Sequence, residues 1–104
     1  MNWIVLSADN RPTLCLAPDE VAQRLEELAI EFLEEIHRPD SPSLRAVTDS
    51  EEGTIALIHC YDETDFVAWL NQGKQAPEER ITPVAQSISF ARPDAWRSYP
   101  WFNF

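Results

Sequence analysis

The chain is poor in glycine and cysteine, and each shortage excludes a class of site. Its 104 residues include two glycines, which excludes a glycine-rich phosphate-binding loop. The two cysteines, Cys15 and Cys60, lie 45 positions apart without a C-x-x-C pattern. This spacing fits neither a disulfide framework nor a zinc or redox motif, so we predict two reduced, mostly buried thiols.

Long hydrophobic runs and recognisable catalytic motifs are also missing. The apolar run at Trp3–Leu6 is interrupted at Ser7, and no stretch approaches the length of a membrane span. We therefore predict a cytoplasmic protein that does not bind membranes. Neither H-E-x-x-H nor G-x-S-x-G occurs. We predict no catalytic residues, no metal ion and no cofactor, and we favour a protein that is not an enzyme.

Basic residues are few, and the resulting charge is strongly negative. Eighteen acidic and eight basic residues give a net charge of −10, whereas residues 80–104 carry one acid and three bases. An acidic body repels phosphate backbones, so we predict no nucleic-acid binding. Simple solubility explains this charge, and a basic protein partner is the functional alternative.

Proline and apolar periodicity divide the chain into alternating elements. We predict a helix from Pro18 to about His37, and a second helix that begins after the N-cap Asp62 and ends near Gly73. Whether Thr13–Leu16 forms an extra strand stays open. The predicted strands are Asn2–Ala8, Ser43–Thr48, Thr54–Tyr61 and Pro83–Ala91.

This order is βαββαβ, which predicts an α+β, ferredoxin-like fold with a four-stranded antiparallel sheet and two helices on one face. Such a sheet has its first and third strands in the centre. The apolar strands Trp3–Leu6 and Thr54–Tyr61 fit the centre, whereas Arg45 and Pro83 fit edges. Many unrelated families share this order, so the fold implies no function.

The C-terminus is crowded with aromatic residues, five of them within residues 96–104. We predict an α+β domain at residues 1–92 and an aromatic tail at 93–104. The tail packs on its own domain, orders in a swapped homodimer, or docks on a protein partner. The candidate contact residues in the tail are Trp96, Arg97, Tyr99, Trp101, Phe102 and Phe104.

The outer face of the first predicted helix is rich in glutamate. Such a face is usually only solvated, and its functional alternative is a docking surface for a basic protein. Glu27, Glu31, Glu34 and Glu35 are the candidate contact residues there.

Two functions follow from these features. The leading hypothesis is a small acidic, non-enzymatic interaction or regulatory protein that binds a protein partner through the acidic helix face, the aromatic tail, or both. The alternative is a dimeric α+β barrel-like protein that binds a small ligand, or an oxidoreductase, with a pocket near Trp3, His59 and Tyr61. His59 and the adjacent Cys60 lie on opposite faces of their predicted strand, which excludes them as a nucleophile–base pair.

Overall fold

The structure is a computed structural model that describes residues 1–8, 11–48, 53, 55–85 and 98–104. Along these residues, pairs of strands are separated by helices. The strands are β1 (Asn2–Ala8), β2 (Arg11–Ala17), β3 (Leu44–Thr48), β4 (Ile55–His59), β5 (Thr82–Ala85) and β6 (Trp101–Asn103). The helices are α1 (Asp19–Gln23), α2 (Leu25–Ile36) and α3 (Glu63–Asn71), with a 3₁₀ turn at Pro77–Glu79.

Four of these strands form one mixed sheet in the order β5-β2-β1-β6. Strand β2 runs antiparallel to both β1 and β5, whereas β6 runs parallel to β1. Two residues separate Ala8 from Arg11, a spacing typical of a tight β-hairpin. Strands β3 and β4 pair antiparallel with each other and form a separate two-stranded sheet.

This topology confirms the coarse prediction and corrects its details. The fold is a mixed α+β fold with a four-stranded sheet, and the open question about Thr13–Leu16 is answered by β2. The wholly antiparallel sheet is wrong because β6 is parallel to β1. The ferredoxin-like order is not confirmed, because β2 occupies one edge of β1, β6 occupies the other, and β4 pairs with β3 instead. The predicted residues 86–91 of the last strand lie outside the described residues.

The hydrophobic core lies between one face of the large sheet and the helices. Alternate residues of β1 and β2, among them Ile4, Leu6 and Cys15, are fully buried against apolar residues of all three helices. The helix face contributes Val21, Ala22, Leu25, Ala29, Phe32, Phe66, Val67 and Leu70. Burial raises the pKa of the Cys15 thiol to about 12, with a smaller contribution from the charge of Glu63, so this thiol stays protonated. Cys60, in contrast, is exposed, so the prediction of two buried thiols is wrong for it.

Local sequence signals set the ends of the helices. The predicted first helix is interrupted at Arg24, which lies between α1 and α2 with φ −110° and ψ 20°. Asp62 caps α3 as predicted: its carboxylate accepts hydrogen bonds from the Thr64 and Asp65 amides, and the Asp62 amide donates one to the Asp65 carboxylate. Gly73, with φ +76°, follows the end of α3 as predicted.

Asn71 fixes the last turn of α3 to the chain that enters β5. Its side chain is buried, donates to the Ile81 carbonyl (3.0 Å) and accepts from the Ile81 amide (2.8 Å). One side chain therefore satisfies both backbone groups of a buried residue, which would otherwise cost free energy.

Candidate functional site

The acidic face of α2 is set by the helical period. Leu25, Ala29 and Phe32 are buried on the inner side of the helix. Glu26, Ile30 and Glu34 are spaced four residues apart, so they form one row on the outer side, with Glu27 and Glu31 beside them. All five of these outer residues are exposed, and Ile30 retains 47% of its surface. An apolar side chain therefore lies in the middle of an acidic surface, which we call the α2 face.

Some carboxylates of this region already have a hydrogen-bond or ion-pair partner in their own chain. Arg24 donates to Glu27 (3.0 Å) and forms a longer ion pair with Glu20 (3.5 Å). The hydrogen bond from Arg24, together with its charge, lowers the pKa of the Glu27 carboxyl. Glu35 accepts a hydrogen bond from Trp69 Nε1 (2.9 Å). Glu27 and Glu35, both predicted contact residues, are thus already engaged within the molecule.

Three carboxylates of the α2 face form no such hydrogen bond or ion pair with a described residue, although the charge of Arg24 also attracts Glu31. Within the described part of the chain, Glu26, Glu31 and Glu34 form no hydrogen bond or ion pair. Glu31 lies four residues from both Glu27 and Glu35, a spacing at which like charges destabilise a helix by about 0.2–0.5 kcal/mol per pair. The last turn of α2 contains no basic residue to offset the helix dipole. This surface keeps repulsive charges that a basic partner would neutralise.

The aromatic tail is divided between core and surface. Phe102 and Phe104 pack against the core, and the Phe104 ring lies 5.0 Å from Phe66 and 5.8 Å from Phe32 between ring centroids. The Val5 amide donates to the Pro100 carbonyl (2.9 Å), and the Phe104 amide donates to the Ser7 carbonyl (2.7 Å). Trp101 is 41% exposed and Tyr99 is half-buried. The predicted contact residues Trp96 and Arg97 lie outside the described residues.

The three predicted ligand-pocket residues are not brought together. Tyr61 contacts Phe32 (6.1 Å between ring centroids) and His37 (5.3 Å) on the helix side of the molecule. Trp3 alternates with the core residue Ile4 on β1 and therefore lies on the opposite face of the sheet. His59 lies beside His37, with 5.1 Å between ring centroids.

His59 also contacts Ser43, a residue that our sequence analysis did not single out. The Ser43 hydroxyl, which is largely buried, donates to the Ile36 carbonyl (3.0 Å). A hydroxyl has one proton, so Ser43 accepts from His59 Nδ1 (2.8 Å) and from the Ser41 hydroxyl (2.9 Å). His59 thus carries its proton on Nδ1 and cannot accept one from Ser43 there. The contact fastens β4 to the end of α2 and is not a nucleophile–base pair.

An open cleft of about 980 Å³ lies elsewhere, along α3. Phe32 and Trp69 provide aromatic surface, while Asp65 and Arg80 provide charge. Its remaining lining residues are Glu35, Ile36, Ser41, Pro42, Thr64, Val67, Ala68, Asn71, Gln72, Ile81, Thr82 and Pro83. None of Trp3, His59 and Tyr61 lines it, and no local sequence signal indicated it, because its walls are far apart in the chain.

Two further findings concern metal ions and membranes. Among the residues that the structure describes, no three His, Cys, Asp or Glu side chains are grouped so that they could hold a metal ion. In the same part of the chain, no helix has both the length and the apolar character needed to cross a bilayer. Comparisons with protein-family models, curated proteins and solved structures found no match.

Proposed function

We propose that this chain is a small acidic, non-enzymatic interaction protein that binds a basic protein partner through the α2 face. The observation that carries the proposal is the position of Ile30, 47% exposed between Glu26 and Glu34, one turn away on either side. Protein interfaces combine an apolar centre with a polar rim. Complementary rim charges mainly speed association and select the partner.

The α2 face is a better candidate than the aromatic tail. Phe102 and Phe104 are occupied by contacts with their own core, so using them for a partner would break those contacts. Glu26, Glu31 and Glu34, in contrast, can form ion pairs without breaking a hydrogen bond to another described residue. We therefore assign Glu31 and Glu34, together with Glu26 and Ile30, to the partner contact.

Neutralising the α2 face tests this proposal. A triple variant, Glu26→Gln, Glu31→Gln and Glu34→Gln, removes three charges without changing side-chain size. A matched control, Asp40→Asn, Glu78→Gln and Glu79→Gln, removes three exposed charges elsewhere. The wild-type protein and each variant are used as bait with a lysate of the source cells, and the retained proteins are identified. The affinity of each bait for the retained protein is then measured with purified components. Exposed ion pairs contribute about 0.2–1 kcal/mol each. Losing three therefore weakens binding roughly 3- to 150-fold.

We expect the wild-type protein and the control to bind the same basic partner, and the triple variant to lose it. Ile30→Ala should weaken binding without unfolding the chain, because Ile30 is exposed. Equal binding by the two triple variants would show that net charge, rather than the α2 face, is responsible. Binding that is unaffected by added salt would also contradict the proposal.

The cleft along α3 supports a second candidate, the binding of a small apolar ligand. Its volume of about 980 Å³ is at the upper end of the usual range for ligand pockets, and Phe32 and Trp69 line it. This moves the candidate pocket away from His59 and Tyr61. A ligand from a thermal-shift screen should lose its effect in Ala68→Trp, which fills the cleft, and keep it in Val84→Trp, whose residue does not line it.

A further inference from the structure

The hairpin of β3 and β4 stands apart from the four-stranded sheet. In the described part of the chain, its strands pair only with each other, in regular register from Leu44–His59 to Thr48–Ile55. The body holds it at one end, where the Cys60 amide donates to the Ser43 carbonyl (2.9 Å) and Ser43 contacts Ile36 and His59. Five extended residues project about 16 Å from that end. A two-stranded sheet of this kind is marginally stable alone.

The hairpin exposes apolar side chains on both faces. Leu57 is 65% exposed and the next residue, Ile58, is 45% exposed; successive residues of a strand point to opposite faces. Strand β4 contains no charged residue and no proline, and its register with β3 shows no bulge. Proteins normally protect an unpaired strand edge with charged residues, proline or a bulge. An edge that lacks all three therefore indicates a partner strand.

We propose that a second copy of this chain pairs with the edge of β4 that is unpaired among the described residues, antiparallel and about a two-fold axis at Leu57. Leu57 is the middle residue of β4, so the axis places it opposite Leu57 of the second copy. The same register places Ile58 opposite Ala56, and His59 opposite Ile55. The interface is isologous: each copy contributes the same strand, and the two hairpins form one four-stranded sheet.

Charge favours the approach of a second copy at strand β4 over its approach at the acidic rest of the surface. The chain has a net charge of −10, yet β3 and β4 together contain no carboxylate and one arginine, Arg45. Antiparallel pairing also sends the two bodies to opposite ends of strands about 16 Å long. That distance exceeds the screening length of about 8 Å at physiological ionic strength, so repulsion between the acidic bodies is weak.

The first test is sedimentation of the whole chain over about 1 μM to 1 mM, a range that brackets the affinity of a small interface. The mass should rise from one copy to two. Leu57→Lys places like charges at the axis and should reduce the association constant at least about tenfold. Val84→Lys makes the same change at an exposed position on β5 and should leave association unchanged. A single copy at every concentration, or equal loss in both variants, would overturn the proposal.

The second test identifies the strand that pairs. In a Cys60→Ser background, Leu57→Cys places two thiols across the axis, at Cβ separations close to those of a disulfide. Mild oxidation should then give a covalent dimer. Ala46→Cys is the matched control, because Ala46 is the partner of Leu57 on β3 and is the middle residue of that strand. Cross-linking at 46 and not at 57 would show pairing through β3 and overturn the proposed interface. Circular dichroism checks that all variants are folded.

Discussion

Shortening the side chain of Phe104, by Phe104→Ala, is expected to destabilise the protein by about 2–3 kcal/mol. The Phe104 ring contacts three others, at centroid distances of 4.7 Å to Phe102, 5.0 Å to Phe66 and 5.8 Å to Phe32. A fully buried Phe→Ala change costs about 3–5 kcal/mol, and Phe104 is only half-buried. The lost ring pairs add to the lost burial. For a chain of this size, the midpoint of thermal unfolding should fall by roughly 8–20 °C.

Urea unfolding followed by circular dichroism measures this loss directly. Asn103→Ala is the control, because Asn103 is the neighbour of Phe104, is exposed, and lies between the two core phenylalanines. Phe104→Leu keeps an apolar side chain and should lose about 1 kcal/mol. If Phe104→Ala were as stable as Asn103→Ala, the end of the chain would not belong to the core. The hypothesis that the aromatic tail docks on a protein partner would then be favoured again.

Three further predictions concern single side chains. Asp62→Ala should destabilise the chain by about 1 kcal/mol near pH 7. The hydrogen bond from the Thr64 side chain, and then those from the backbone amides, lower the pKa of Asp62. Its contribution to the free energy of unfolding is therefore present above about pH 4 and is lost as the pH falls through the lowered pKa. Urea unfolding near pH 7 and near pH 3 should show this difference, and an equal loss at both pH values would contradict it. Ellman's reagent near pH 8 should titrate exposed Cys60 at once and Cys15, whose pKa burial raises to about 12, only after unfolding; two fast thiols would show that the core is open. Asn71→Ala leaves both backbone groups of Ile81 without their partner and should cost about 2–4 kcal/mol in thermal unfolding, whereas exposed Gln72→Ala should change little.

Local signals in the sequence predicted local structure well. Strand β1 has the predicted bounds, Asn2–Ala8, and Pro83 lies on an edge strand. The N-cap Asp62, its partner Asp65 and the stop at Gly73 were all predictable, because capping depends on side chains within a few residues of the backbone that they bind.

Strand pairing could not be predicted from the same signals. The apolar character of Thr54–Tyr61 suggested a central strand, yet β4 pairs only with β3 among the described residues and exposes Leu57. Apolar side chains predict that a strand is covered by other residues, but they do not predict which strand pairs with it. The short spacing between Ala8 and Arg11 was the signal that could have decided for an extra strand at Thr13–Leu16, because strands joined so closely pair at small entropic cost, and β2 then occupies one edge of β1.

The candidate sites divide in the same way. The acidic row of α2 follows from a period of 3.6 residues, so Glu31 and Glu34 were predicted on the outer face. The ion pair of Glu27 with Arg24 is also local, but the hydrogen bond from Trp69 to Glu35 joins two helices and left no sequence signal. The role of Ser43 depends on Ile36 and His59 meeting in space, which no short pattern records.

The α2 face is tested most directly by hydrogen–deuterium exchange of the chain alone and with its captured partner. We expect added protection that is centred on residues 26–34 and is absent in the Glu26→Gln, Glu31→Gln, Glu34→Gln variant. Amides on the inner side of α2 are already protected, so the informative ones are those of the exposed outer row. Protection confined to β6 or to the cleft along α3, with α2 unchanged, would contradict the account.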